Sequence, residues 1–325
     1  MTLAKAIHVA CVVLSLGGFA ARGALMLTGS PLLEARFVRV APHVVDTVLL
    51  FAHAEAALVA LAAVGAPAFA LLVAFVERDN SRAPRGRAIT FGALLVVVTL
   101  FVTGYVGSET ASASWFGGGT VHGPTGTHEV ALTFDDGPNV SATEQVARIL
   151  DAHGVKGTFF EIGKAIDADP QITRALFADG QLLGNHSYHH DQWRWLDPRY
   201  PELQRTQAAF RRAIGTCPVL YRPPHGDRTP FLANVVRDHH MHMIMWNDDT
   251  DDWTTGDAQA VARHILDKAK PGAIIDLHDG LDGKPGVDRT VVVRALPIIL
   301  DGLRAKGLTP VRLDVLLGTG AYQPC

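Results

Sequence analysis

Two aspartates, Asp135 and Asp136, stand side by side in "LTFDDGPN", between an apolar run and a Gly-Pro turn. Adjacent like charges repel, so the pair makes sense only if each carboxylate has a partner of its own. "HSYHH" supplies His186 and His190, four residues apart, with His189 as a rival to His190. Two imidazoles and one carboxylate make a three-ligand zinc site with one position left open for water. Asp136 is the candidate carboxylate. The other aspartate is then free to act as a base, because a water activated by a cation still needs a proton acceptor. Arg222, in "RPPHG", can pair with that base and orient it. Expelling an amine or an alkoxide calls for an acid on the opposite side. His278 suits that task, since it lies near Asp252 or Asp276 and a neighbouring carboxylate keeps imidazole protonated.

These groups need elements that bring them together. From residue 129 short apolar runs alternate with amphipathic ones. "EVALTF", "KGTFFEIG", "QLLGNH", "VLYRPP", "MHMIMW", "GAIIDLHD" and "TPVRL" read as strands. "SATEQVARILDAHG" opens with a capping box, Ser141 and Glu144, and starts the first of the intervening helices. Repeated strand–helix units imply α/β architecture with a parallel sheet. Six or seven units in about 200 residues suggest a closed or nearly closed barrel. Asp135–Asp136, His186–His190, Arg222, Asp249–Trp253 and His278 each fall at or just past the C-terminal end of a strand. In a parallel barrel those ends share one face, where such folds carry their chemistry.

The motifs resemble those of the NodB-type polysaccharide deacetylases, carbohydrate esterase family four, over residues 128–317. The match rests on "TFDDG", "HSYHH", "RPPHG", "DTDDW" and "IIDLHD", with "GTFFEIG" and "GNHSYHH" in support. The resemblance implies a distorted parallel (β/α) barrel. It implies Asp135 as base, Asp136, His186 and His190 as metal ligands, and Arg222 as the residue orienting the base. It also implies a His225 backbone N–H in the oxyanion hole, Asp252 tuning the acid His278, and Trp253 and Leu277 lining the acetyl pocket. The cofactor would be Zn2+, or another divalent metal such as Co2+ or Ni2+. The expected reaction is removal of N-acetyl groups from N-acetylhexosamine glycans, peptidoglycan or chitin-like, with release of acetate. An O-acetyl esterase, or a non-catalytic glycan-binding or assembly protein, is the alternative. Two positions depart from the family pattern: His225 replaces a Tyr or another bulky side chain, and Asp276 replaces an apolar one. Asp276 shares a strand face with His278, so it is a second candidate partner of the acid. Trp193 and Trp195 can stack on sugar rings or lie under the ligand loop.

The first third differs in composition. Residues 6–27, 44–76 and 88–107 are long apolar runs, each of the length that a membrane span requires. "IHVACVVLSLGGFAARGALMLTGSPLLEARFVRVAPHVVDTVLL" resembles the start of the SirB family of small membrane proteins, which implies four spans; the runs alone allow three or four. Arg78, Arg82, Arg85 and Arg87 mark one loop as cytoplasmic, which places residues 108–325 on the outer face. The expected organisation is therefore an all-α transmembrane domain (1–107), a linker (108–127), the deacetylase domain (128–317) and a tail (318–325). The expected location is the bacterial inner membrane, multi-pass, with the catalytic domain on the periplasmic face. The lipid bilayer and an acetylated polysaccharide are the expected partners. A net charge of −3 gives no general affinity for nucleic acid, and no protein partner is inferable. Three scattered cysteines, Cys11, Cys217 and Cys325, form no disulfide framework and no CxxC metal site.

Overall fold

The structure, a computed structural model, describes residues 108, 118–191, 199–229 and 231–325. These belong to one compact unit, Thr103–Cys325. Its centre is β1 (Glu129–Gly137), buried almost throughout. Alternation along β1 splits its side chains between two cores. Val130, Leu132 and Phe134 face a layer of helices. That layer is α1 (Thr143–Ala152), α2 (Gly163–Ala168), α3 (Pro170–Ala178), α4 (Pro201–Ile214), α6 (Ala258–Lys268) and α7 (Thr290–Ala305), while α5 (Leu232–Asp238) packs apart from it with Tyr221 and Met243. Each contributes an apolar stripe, such as Val146 and Leu150 of α1 or Val292, Leu296, Ile299 and Leu303 of α7. Phe134 stacks on Phe159 with ring centroids 5.0 Å apart. Truncating such a ring to alanine costs about 3–5 kcal/mol. On the opposite face Ala131, Phe160, Leu182, Leu220 and Ile274 meet Leu313 and Leu316 of α8 (Leu313–Leu317). This helix plugs the N-terminal end of the sheet and leaves the C-terminal end to polar residues.

The sheet is parallel. Its order is β6 (His242–Met243), β5 (Leu220–Tyr221), β3 (Leu182–Asn185), β2 (Thr158–Glu161), β1, β8 (Ile274–His278), β7 (Asp248–Asp249), with β9 (Thr309–Pro310) beside the start of β1. The expected closed or nearly closed barrel is corrected to a curled half-barrel. Its terminal strands, β6 and β7, have two residues each and do not pair with one another. Thr120 instead bridges to Ile244 beyond β6, so part of the stretch expected as a linker is built into the fold. The capping box is also absent: α1 begins at Thr143 without a side-chain cap, and the Ser141 hydroxyl donates to the Val287 carbonyl. Cys217 and Cys325 form a disulfide where β4 (Cys217–Pro218) pairs antiparallel with β10 (Tyr322–Gln323). Their separation of 108 residues hid this pairing in the sequence.

No helix among the described residues is long and apolar enough to cross a membrane. The longest, α7, has 16 residues and spans about 24 Å, short of a hydrocarbon core of roughly 30 Å. The expectations of a transmembrane domain, of a bilayer partner and of a multi-pass inner-membrane location are corrected on this finding. The runs 6–27, 44–76 and 88–107 that suggested them lie outside the described residues.

Candidate active site and metal centre

Successive side chains on a strand point to opposite faces, so Asp135 and Asp136 ought to part company. A bulge prevents this. Asp135 pairs with Phe160 of β2 but Gly137 pairs with Glu161, which leaves Asp136 without a partner in the register. Asp136 takes a left-handed φ of 74°. A bulge re-aims the extra side chain, and here both carboxylates reach the open end of the half-barrel. Ser187, His190 and His225 are left-handed as well, with φ of 68°, 57° and 56°. Such backbone costs about 1–3 kcal/mol per non-glycine residue, and strain of this kind clusters at functional sites.

Asp136 faces two imidazoles. Its Oδ1 lies 3.1 Å from His190 Nε2 and 3.4 Å from His186 Nε2. This oxygen is buried and has no hydrogen-bond partner. The His186 Nδ1 is 2.9 Å from the Arg222 carbonyl oxygen, which leaves Nε2 as the free lone pair. Two imidazole nitrogens and the orphaned buried oxygen that they face make three donors that fit a divalent cation. His189 is engaged elsewhere: its Nδ1 lies 2.7 Å from Glu202 Oε2. The structure thereby selects His190 over its rival.

Asp135 is paired within the chain. Arg222 Nη1 donates to Asp135 Oδ1 at 2.8 Å, to Thr133 Oγ1 at 2.8 Å and to Asp276 Oδ1 at 2.6 Å. The guanidinium is fully buried and sits 4.2 Å from the Phe160 ring centroid. Asp276 is therefore hydrogen-bonded to Arg222, and its charge also acts on His278, across the strand face that they share. Burial raises the Asp276 pKa well above the carboxylate range, and Asp135 adds to this, against the pull of Arg222.

His278 ends β8, and its Nδ1 lies 2.8 Å from Asp252 Oδ1. Burial alone would depress this imidazole, but the Asp252 carboxylate outweighs it and holds the pKa well above the histidine range. Asp252 is fully buried; it accepts from the His278 N–H at 3.1 Å and from Arg289 Nη2. Arg289, at the start of α7, also donates Nε to the His278 carbonyl at 3.0 Å. Sequence reading missed Arg289. The only signal was a lone arginine before the helix that follows β8.

The remaining candidates divide. His225 lies at the rim in the turn Pro224–Gly226, its ring centroid 4.5 Å from that of His190. Burial and the neighbouring His190 lower its pKa to about 4. Trp253 is 46% exposed. Leu277 is not brought to the site: it is fully buried in the helix-side core, the alternate face from Asp276 and His278. Trp193 and Trp195 lie outside the described residues.

A model of the polysaccharide deacetylase family matches residues 122–244. A peptidoglycan-N-acetylglucosamine deacetylase of Bacillus cereus is 31% identical over 199 residues, 61% of this chain and 71% of the relative. The chain belongs to the polysaccharide deacetylase family. It is a hydrolase of the NodB type, a metal-dependent deacetylase acting on linear amides of glycans. A chitooligosaccharide deacetylase of Azorhizobium caulinodans is 32% identical over 189 residues, 55% of this chain and 89% of the relative. Among solved structures, the peptidoglycan N-acetylglucosamine deacetylase Bc1960 in complex with 4-naphthalen-1-yl-N-oxidanyl-benzamide superposes with a TM-score of 0.57. It shares 29% identity and covers 63% of this chain and 94% of its own. A second family model, "Invasion gene expression up-regulator, SirB", matches residues 1–106. Asp252 and His278 lie beyond residues 122–244 of the deacetylase family model.

Proposed function

We propose that the chain removes N-acetyl groups from N-acetylhexosamine glycans, peptidoglycan or chitin-like, and releases acetate. The observation that carries this reading is the division of labour between Asp135 and Asp136. Asp136, His186 and His190 would hold the cation, which we take to be zinc. When bound, it would supply a Lewis acid for the acetyl carbonyl and lower the pKa of a coordinated water. Asp135 takes the proton of the attacking water, its carboxylate fixed by Arg222. The His225 backbone N–H donates to the oxyanion that develops on the carbonyl. His278, charged by Asp252, gives its proton to the departing sugar amine, and the C–N bond breaks. The glycan would run past the exposed Trp253, whose apolar ring suits a sugar face. Both named relatives act on N-acetylated glucosamine polymers or oligomers by their descriptions, which supports the substrate class and leaves two polymers to separate.

The test is acetate release by the purified full chain from peptidoglycan, chitooligosaccharides and an O-acetylated glycan. Turnover on an N-acetylated member, lost with a chelator and restored by Zn2+, is the expected result. A metal-loaded chain that releases acetate only from the O-acetylated glycan, or from none, overturns the proposal.

A further inference from the structure

The loop after β8 doubles back over the metal-binding residues. Gly280 passes so close to β1 that a Cβ there would overlap the Asp136 carbonyl oxygen. Only glycine permits that approach. Asp282 follows with a left-handed φ of 52°, and Gly283 with 59°. The loop rests on Ile162 and Lys164, and Lys164 Nζ in turn donates to the carbonyl of His189, next to His190.

This path makes Asp282 touch two metal ligands at once. Its backbone N–H donates to Asp136 Oδ2 at 2.9 Å, leaving Oδ1 as the free oxygen. Its carboxylate Oδ1 lies 3.1 Å from His190 Nδ1. At this separation the carboxylate is within reach of an Nδ1–H, and Nδ1 has no other partner among the described residues. His190, His225 and Asp282 also form a cluster with metal-binding donors, overlapping the first at His190. A neutral imidazole has one lone pair, so His190 serves one of the two clusters. The orphaned Asp136 Oδ1 sits on the Nε2 side, 3.1 Å away. The cation therefore belongs with Asp136 and His186, and Asp282 is left to accept the Nδ1 proton. His186 has the Arg222 carbonyl in the same role.

We propose that Asp282 is a positioning residue for the metal centre: it fixes the His190 tautomer with Nε2 toward the cation and turns Asp136 so that Oδ1 faces the same point. The proposal rests on the metal-dependent reading above. A group that hydrogen-bonds the second nitrogen of a ligating histidine typically changes metal affinity by about 10–100-fold.

The experiment is Zn2+ affinity of the chelator-stripped full chain, by competition with a chromophoric chelator, with the visible spectrum of the Co2+ form as a second readout. Asp282→Ala should weaken Zn2+ about 10–100-fold and change the Co2+ bands. Asp282→Asn, which keeps an acceptor oxygen, should recover part of that loss. Affinity of both variants within twofold of the parent, with an unchanged Co2+ spectrum, overturns the proposal. If the alanine variant does not fold, the asparagine variant decides: a loss of severalfold supports the proposal, and parent-like affinity overturns it. The metal reading fails separately, and this inference with it, if the parent binds no Zn2+ at one per chain or if binding survives His190→Ala.

Discussion

The proton-handling side of the site and the metal-binding side are built from the same residue types but balanced differently. Asp135 has Arg222, and Asp252 has Arg289 together with His278. Each of these buried carboxylates is balanced by a cation carried in the chain. Asp136 has two imidazoles and one backbone N–H, and one of its oxygens has no hydrogen bond. An unpaired buried anion is strongly disfavoured. The contrast marks where the donors fit an external cation and where one would be superfluous. It also explains how two adjacent aspartates can hold different tasks: a one-residue bulge gives them different neighbours.

The comparison can be broken at three depths. The deepest cut is His186→Ala, which removes a donor from the side with no cation of its own. Metal occupancy should fall, and kcat/KM should drop by at least about 10³-fold, the loss of several kcal/mol of charge stabilisation. Metal analysis alongside acetate release checks this. A milder cut is Asp252→Asn on the proton side. The chain should keep its metal and lose about 10–100-fold in rate. The sign of the pH effect follows from the raised His278 pKa. His278 must be protonated to act, so its raised pKa carries activity to higher pH. Without the Asp252 charge that pKa falls, and the alkaline limb of the pH–rate profile should move to lower pH. The smallest effect on activity belongs to the disulfide, which touches neither side. Replacing Cys217 and Cys325 by serine opens a loop of about 100 residues, worth roughly 5 kcal/mol in the chain-entropy view. Thermal melting should show Tm lower by roughly 10 °C, with kcat/KM at 25 °C within about twofold of the parent.

Much of the site was legible because strand ends are predictable. "EVALTF" and "IIDLH" announce strands by their apolar runs, and a parallel sheet gathers the residues that follow them. Asp135, Asp136, His186, Arg222 and His278 came together for that reason. The partner of Asp276 was not legible, because alternation gives the face a side chain takes but not the arginine that crosses to meet it. Leu277, which the resemblance places at the acetyl pocket, packs on the helix side, where alternation sends it. Asp282 and Arg289 sit in a loop and at a helix start, where no period reports direction. Barrel closure depends on the length of the edge strands, and the two-residue β6 and β7 look no different in sequence from longer ones.

The most direct test of the division of labour is a paired measurement on Asp135→Asn and Asp136→Asn in the full chain, reading bound metal and acetate release together. The expected result is a split. Asp135→Asn keeps one metal per chain and loses about 10²–10⁴-fold in kcat, while Asp136→Asn loses metal and activity together. Equal metal loss in both variants, or undiminished turnover by Asp135→Asn, would contradict the account.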